Sequence, residues 1–260
     1  MGLKRKGAGP TELLVLLTPH FNLAATMSFV DPFRVANYLE GMGLFRWRFV
    51  SETGGAVRAS NGASIATGAV ADVGLDGVDF LLVSSSWEPE AHVSNVMKSF
   101  LREAVKQQVS LGGLDTGAFV LAHAGLLDGY RATLHYEHID AFRELFPRTE
   151  ISEALWVFDR QRMTCCGGAA SLEFALHIIL ELQGSALANA AARYVFSPPL
   201  RGHDAQQNPQ EGEPLGNSVP EAVRQAIRVM ESNLESPLPI GEICKLAGVS
   251  HRQLNRLFSQ

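Results

Sequence analysis

Val109-Ser110-Leu111-Gly112-Gly113-Leu114-Asp115-Thr116-Gly117-Ala118-Phe119-Val120-Leu121-Ala122 decides how this chain folds. A short apolar run ends at a glycine pair. After one more apolar residue, an Asp-Thr-Gly step opens an amphipathic helical pattern, so the stretch predicts a strand, a tight turn and a helix. Asp115 falls at that turn. In an open α/β sheet, ligands bind outside the carboxyl ends of the strands, which puts Asp115 where a pocket is expected. A plainer reading stays open: Asp115 or Thr116 is the N-cap of the helix, and one residue can serve both purposes.

Outward from this stretch the pattern alternates. Residues 12–18 read as a buried strand and residues 21–41 as a helix carrying Phe29, Phe33, Val35 and Leu39, with Pro32 marking its first turn or a kink. Residues 46–51 form the next strand, and residues 57–67 a hairpin turning at Asn61-Gly62. A strongly apolar strand over 79–84 ends in Ser84-Ser85-Ser86-Trp87, and these polar ends face the same side as Asp115 if the strands are parallel. A helix over 90–107 leads back to the Asp115 stretch. Beyond it, a short strand over 131–134 delivers His135 and Tyr136, a helix runs to Pro147, residues 155–165 read as a second hairpin, and Gly167-Gly168 precede a helix over 170–182. Such alternation predicts a flavodoxin-like, mostly parallel sheet covered by helices on both faces.

Composition bounds the rest. A length of 260 residues allows one large domain or two modest ones, and 46% hydrophobic content provides for a real core. A formal charge of -5 argues against a chain coated by nucleic acid, although a local basic surface is compatible with it. No run has the apolar length of a membrane span, and the apolar residues 13–17 behind the basic opening are too few for a secretory core. Three cysteines, Cys165, Cys166 and Cys244, show no framework spacing, which points to a reduced cytoplasmic compartment. Adjacent Cys165 and Cys166 point to opposite sides of a strand and are poorly placed to share a metal. Neither a metal nor a cofactor is expected.

A change of composition follows residue 193. Residues 197–218 are poor in apolar side chains and rich in Pro, Gly and Gln, and they read as a linker between a first domain over 11–196 and a second over 219–260. In the second, residues 219–233 form an amphipathic helix with Val223, Ile227 and Met230 on one face. Residues 240–247 form a short helix, 248–250 a glycine-containing turn, and 251–260 a third helix capped by Ser250. Leu254, Leu257 and Phe258 share its buried face, while Arg252, Asn255 and Arg256 lie together on another beside His251 and Gln253. Such an arrangement suits a helix-turn-helix, whose second helix offers donors to base edges in the major groove. A small bundle with a solvated basic face is the alternative.

Residues 246–258, Leu-Ala-Gly-Val-Ser-His-Arg-Gln-Leu-Asn-Arg-Leu-Phe, closely resemble the first helix-turn-helix of AraC/XylS-type transcriptional activators. Asp115-Thr116-Gly117-Ala118-Phe119, with Ala124-Gly125-Leu126-Leu127-Asp128-Gly129-Tyr130-Arg131-Ala132-Thr133-Leu134-His135, resembles the sensor half of GlxA-like regulators, which has the PfpI and class I glutamine amidotransferase-like fold. The Asp-Thr-Gly-Ala-Phe form looks most like regulators of arginine, carnitine and glycine-betaine catabolism. Enzymes of the superfamily carry a nucleophilic cysteine at the turn where this chain has Asp115, and a glutamate in the first helix where Arg34 falls near the matching place. His135 remains, but without a thiol to activate it makes no catalytic dyad. The resemblance therefore implies a pocket that binds without turnover, and a protein that is not an enzyme. AraC-type readers have two helix-turn-helix units, of which residues 1–260 hold one, so operator binding by these residues alone is expected to be weak.

The expected pocket sets the Asp115 carboxylate among Thr116, Ser85, Ser86 and His135 as hydrogen-bonding neighbours, with Trp87, Phe21 and Tyr136 as aromatic walls. A carboxylate beside aromatic faces suits an amine or quaternary ammonium, hence an amino-acid or betaine-like effector. Three classes of function follow. A ligand-responsive, DNA-binding activator of amino-acid or quaternary-amine catabolism is the reading adopted. A PfpI-like hydrolase or amidase, and a non-catalytic dimerisation module, are the alternatives. A homodimer is expected, since paired readers match paired half-sites.

Overall fold

The computed structural model describes residues 3, 6–7, 9–197, 201, 205–207, 220–234 and 236–258. Two compact units divide the chain, one over residues 1–207 and one over 208–260.

The first unit is built on an eight-stranded sheet. Its strands are β1 (Thr11–Leu17), β2 (Phe45–Ser51), β3 (Gly55–Arg58), β4 (Ser64–Ala69), β5 (Phe80–Ser85), β6 (Ser110–Asp115), β9 (Trp156–Asp159) and β10 (Arg162–Cys165), in spatial order β3-β4-β2-β1-β5-β6-β10-β9. A separate pair, β7 (Arg131–Ala132) and β8 (Glu150–Ile151), lies outside it. Strands β4, β2, β1, β5, β6 and β10 run parallel, while the outermost strands, β3 and β9, pair antiparallel through the two expected hairpins. Gly62 takes the positive φ of 91° that the hairpin turn requires.

Almost every residue of β1, β5 and β6 is buried, as an apolar strand covered on both faces must be. Alternation then divides the core. Leu13, Val15, Leu17, Phe80 and Leu82 pack with α1 (Leu23–Glu40), α5 (Ala170–Gln183) and α6 (Ser185–Tyr194). Leu14, Leu16, Leu81, Val83 and Leu111 pack on the other face with α2 (Asn95–Lys106), α3 (Gly117–His123) and α4 (Ile139–Leu145).

Several boundaries differ from the sequence reading. Pro32 sits inside α1, well past its first turn. The expected helix over 90–107 is a 3₁₀ turn, Pro89–His92, followed by α2, whose N-cap Ser94 accepts from the Met97 N–H at 3.0 Å. The run does not end at the glycine pair: Gly112 and Gly113 both lie inside β6, where close neighbours leave no room for a side chain. A Cβ on Gly112 would stand 2.8 Å from Met163 Cγ, and one on Gly113 2.8 Å from the Ala118 nitrogen. α6 went unread because it follows α5 after a single glycine, Gly184.

The second unit packs α7 (Glu221–Glu231), α8 (Ile240–Leu246) and α9 (His251–Phe258) around Ala226, Ile243, Cys244 and Leu254. Two expected core residues lie elsewhere. The inward stripe of α7 runs through Val223, Ala226 and Met230, which turns Ile227 outward, and Phe258 at the end of α9 is about half exposed. Of the linker read over 197–218, residues 198–200, 202–204 and 208–218 lie outside the described residues, as do Gln260 and Ser259 of the third helix.

Candidate functional site

The carboxyl edge of the sheet gathers the ends of β1, β5 and β6. Register pairs Ser85 with Asp115 across β5 and β6. At Asp115 the backbone leaves the strand with φ of +59°, a left-handed conformation that costs most residues about 1–2 kcal/mol and that Asp tolerates better than most. Two glycines permit the sharp elbow. A Cβ on Gly117 would lie 2.2 Å from the Val83 carbonyl oxygen, and one on Gly167 2.9 Å from the Asp115 Cβ. α3 is thus pressed onto β5, and the turn before α5 onto Asp115.

Neither candidate caps α3 with its side chain. Thr116, at the N-cap position, makes no capping bond; its hydroxyl donates to the Ser86 carbonyl at 2.7 Å. Asp115 Oδ2 instead accepts from the Asn22 side-chain amide at 2.7 Å. Asn22 is itself the N-cap of α1, its Oδ1 accepting from the Ala25 N–H at 3.1 Å, so one amide joins the start of α1 to the elbow. Asp115 is only 4% exposed, and loss of water pushes its carboxyl above the usual carboxylate range. The Asn22 amide, then the His135 and His138 imidazoles, then Ser86, pull the other way.

The remaining expected residues fall into two groups. Ser86, Trp87, His135 and Tyr136 reach solvent, and Trp87 and Tyr136 are more than half and half exposed, respectively. The His135 N–H donates to the Asp115 carbonyl at 3.3 Å, and its ring lies 4.7 Å from that of Tyr136. The other group is enclosed. Ser85 is fully buried, its hydroxyl accepting from Thr18 Oγ1 at 2.9 Å. Phe21 is also fully buried in the sheet core, so its ring packs under the edge and is no wall of an open pocket. Arg34 lies away from the elbow: it is exposed and paired with Asp31 at 2.6 Å, and Asn22 is the residue at the start of α1 that meets Asp115.

Sequence reading also missed His20 and His92. His20, in a left-handed conformation just past β1, stacks with Trp87 at 6.0 Å and lies 6.3 Å from His92. Burial lowers the His92 pKa, with the nearby His20 adding to it, and its Nε2 is buried without a partner. The signal for Asn22 and His20 was present: Thr18-Pro19-His20-Phe21-Asn22 stands between a strand and a helix, where the carboxyl edge is built. Two clefts of about 510 and 530 Å³ are open elsewhere, and neither is lined by any of these residues.

No thiol stands ready for attack. Cys165, Cys166 and Cys244 are buried and free, and burial, then the neighbouring Cys166, holds the Cys165 thiol well above its ordinary pKa. A protonated buried thiol is a poor nucleophile.

In the second unit, α8 ends at a Gly248 of positive φ, with the Val249 N–H returning to the Cys244 carbonyl. Ser250 and Gln253 then form a reciprocal cap: the Gln253 N–H donates to Ser250 Oγ at 3.3 Å, and the Ser250 N–H to Gln253 Oε1 at 3.0 Å. His251, Arg252, Gln253, Asn255 and Arg256 are all exposed on α9, with Leu254 turned inward. The cap occupies the side-chain oxygen Oε1 of Gln253.

The DJ-1/PfpI family model matches residues 13–181. The chain is 39% identical to the HTH-type transcriptional regulator CdhR of Pseudomonas aeruginosa over 243 residues, covering 94% of this chain and 71% of that protein. It is 34% identical to the HTH-type transcriptional regulator GbdR of the same species over 259 residues, covering 100% of this chain and 70% of that protein. Among solved structures, an AraC family transcriptional regulator from Pseudomonas putida superposes with a TM-score of 0.64 at 26% identity, over 72% of this chain and 100% of that one. Among the described residues, no helix is long and apolar enough to cross a membrane.

Proposed function

The chain belongs to the DJ-1/PfpI family and, through its relatives, to the helix-turn-helix transcriptional regulators, and from that premise we propose that it is a ligand-responsive, DNA-binding regulator whose first unit senses a small effector without transforming it. The observation that carries this reading is the elbow at Asp115. Its glycine neighbours and left-handed backbone are those of a nucleophile turn, yet the side chain is a carboxyl group held by Asn22, while Cys165 and Cys166 are buried and burial holds the Cys165 thiol protonated. Such a group can bind but cannot form a thioester.

A carboxylate at the same sheet edge as exposed Trp87 and Tyr136 suits a cationic ligand, and the aromatic faces would attract its charge. The effector is therefore an amino acid or betaine-like amine, and the regulated genes serve the catabolism of such compounds, with the chain acting as an activator. Arg252, Asn255 and Arg256 of α9 contact the operator, His251 supports them, and two copies bind paired half-sites.

Calorimetric titration with glycine betaine, L-carnitine and L-arginine tests this. Saturable binding of one of them to the wild type, weakened at least tenfold in Asp115→Ala and in Asp115→Asn, is the expected result. Equal binding by both variants removes Asp115 from the site.

A further inference from the structure

We propose that Arg201 and residues 205–207 form a latch seated on the walls of the Asp115 site, so that effector occupancy and latch closure are coupled; this rests on the sensing role given above to that site. The sequence marks this segment only as linker. The structure fastens it to the first unit at two places.

The first place is Glu173, in the opening turn of α5. Its carboxylate is buried, and Arg201 holds it through Nε and Nη2 on Oε1 at 2.9 and 2.7 Å and through its backbone N–H on Oε2 at 3.1 Å. The second is the strip joining Thr133 to Leu155. The Leu155 N–H donates to the Ala205 carbonyl and the Gln207 N–H to the Glu153 carbonyl, each at 2.9 Å, around a bridge between Ala154 and Gln206. The Gln207 side-chain amide donates to Thr133 Oγ1, Leu134 O and Ala154 O at 3.0, 2.9 and 3.2 Å.

The second seat leads back to the candidate site by two routes. Leu134, whose carbonyl Gln207 holds, is followed by His135, and the His135 N–H donates to the Asp115 carbonyl. Leu155, held by Ala205, accepts from the Cys166 N–H at 2.9 Å, and the next residue, Gly167, is pressed against the Asp115 Cβ. The latch and Asp115 are thus joined by two short runs of contacts, one of hydrogen bonds ending on the Asp115 carbonyl through His135, and one ending in the packing of Gly167 against the Asp115 side chain. A ligand on Asp115 that repositions either run has a different affinity for the closed and the open latch, and that difference is what coupling requires.

Hydrogen exchange on the full 260-residue chain, read in peptides covering residues 133–135, 153–157 and 205–207, tests the coupling. Three arms are compared with the wild type: Gln207→Ala, Asp115→Asn, and wild type with saturating glycine betaine. Coupling predicts that Gln207→Ala speeds exchange at 153–157 and changes glycine betaine affinity at least about fivefold, the lower end of ordinary coupling between sites. It also predicts that glycine betaine on the wild type alters exchange at 153–157 and 205–207. If glycine betaine binds and leaves those peptides unchanged, the latch is overturned while the sensing role stands. If it does not bind, Asp115→Asn decides. Altered exchange at 205–207 in that variant supports the coupling, and unaltered exchange overturns it.

Discussion

Asp115 combines a left-handed backbone conformation with a degree of burial that disfavours its charge, and a single substitution removes the second effect while keeping the first. Loss of water raises its carboxyl pKa in the folded chain above the ordinary value of 3.8. The native state therefore keeps the proton to higher pH than the unfolded chain does. The group's favourable share is complete below about pH 3.8 and is lost as pH climbs through the raised value. Asp115→Asn never ionises, suits the left-handed φ, and keeps an oxygen for the Asn22 amide. Its melting temperature is expected to exceed the wild type's by a few degrees at neutral pH, with the gap closing toward pH 4. A variant less stable than the wild type at pH 7 would show that the ionised carboxylate is held better than its burial implies. Cys165 and Cys166 lend themselves to a second check. Because both are buried and Cys165 is kept protonated, a thiol reagent at neutral pH should label neither in the native chain and both after denaturation, as intact mass would show.

At the scale of elements, the elbow depends on how closely α3 and β5 approach. A methyl group on Gly117 would meet the Val83 carbonyl at 2.2 Å, a backbone atom that cannot swing aside. Gly117→Ala should cost about 3 kcal/mol or more, read as an earlier denaturation midpoint of the first unit. In the second unit, Ser250→Ala removes one half of the reciprocal cap and should cost about 1 kcal/mol, seen as faster amide exchange across α9 in the full chain. The strands and most helices were legible because apolar period and turn residues agree along the chain. The hairpin at Asn61-Gly62 and the parallel run from β1 to β6 were read in place. The apolar run was read as ending at Gly112-Gly113, inside β6, because sequence cannot distinguish a glycine that needs an unusual φ from one that admits a neighbour. Ile227 and Phe258 faced the wrong way because helical spacing gives a stripe and not which flank of it meets the next helix.

For the whole molecule, the carboxyl edge was legible as a place but not as a set of partners. Asp115 and Ser85 come together as neighbouring strand ends must and His135 joins them through its backbone, whereas Phe21 is sealed into the core, Arg34 turns outward to Asp31, and Asn22 takes the contact with Asp115. That contact pairs residues far apart in sequence, which no local pattern reveals. Residues 201 and 205–207 gave the same lesson in reverse: their composition says linker, yet the first unit supplies Glu173, Glu153 and Leu155 as partners. The central claim is that a nucleophile elbow with its sulfur replaced by a carboxyl group recognises a small amine and leaves it intact. Proton NMR of glycine betaine mixed with the full chain over several hours tests both halves at once. The account predicts that the methyl resonance broadens with the wild type, stays sharp with Asp115→Ala, and that no new resonance grows. A product resonance that accumulates with the wild type, or equal broadening by the two proteins, would contradict it.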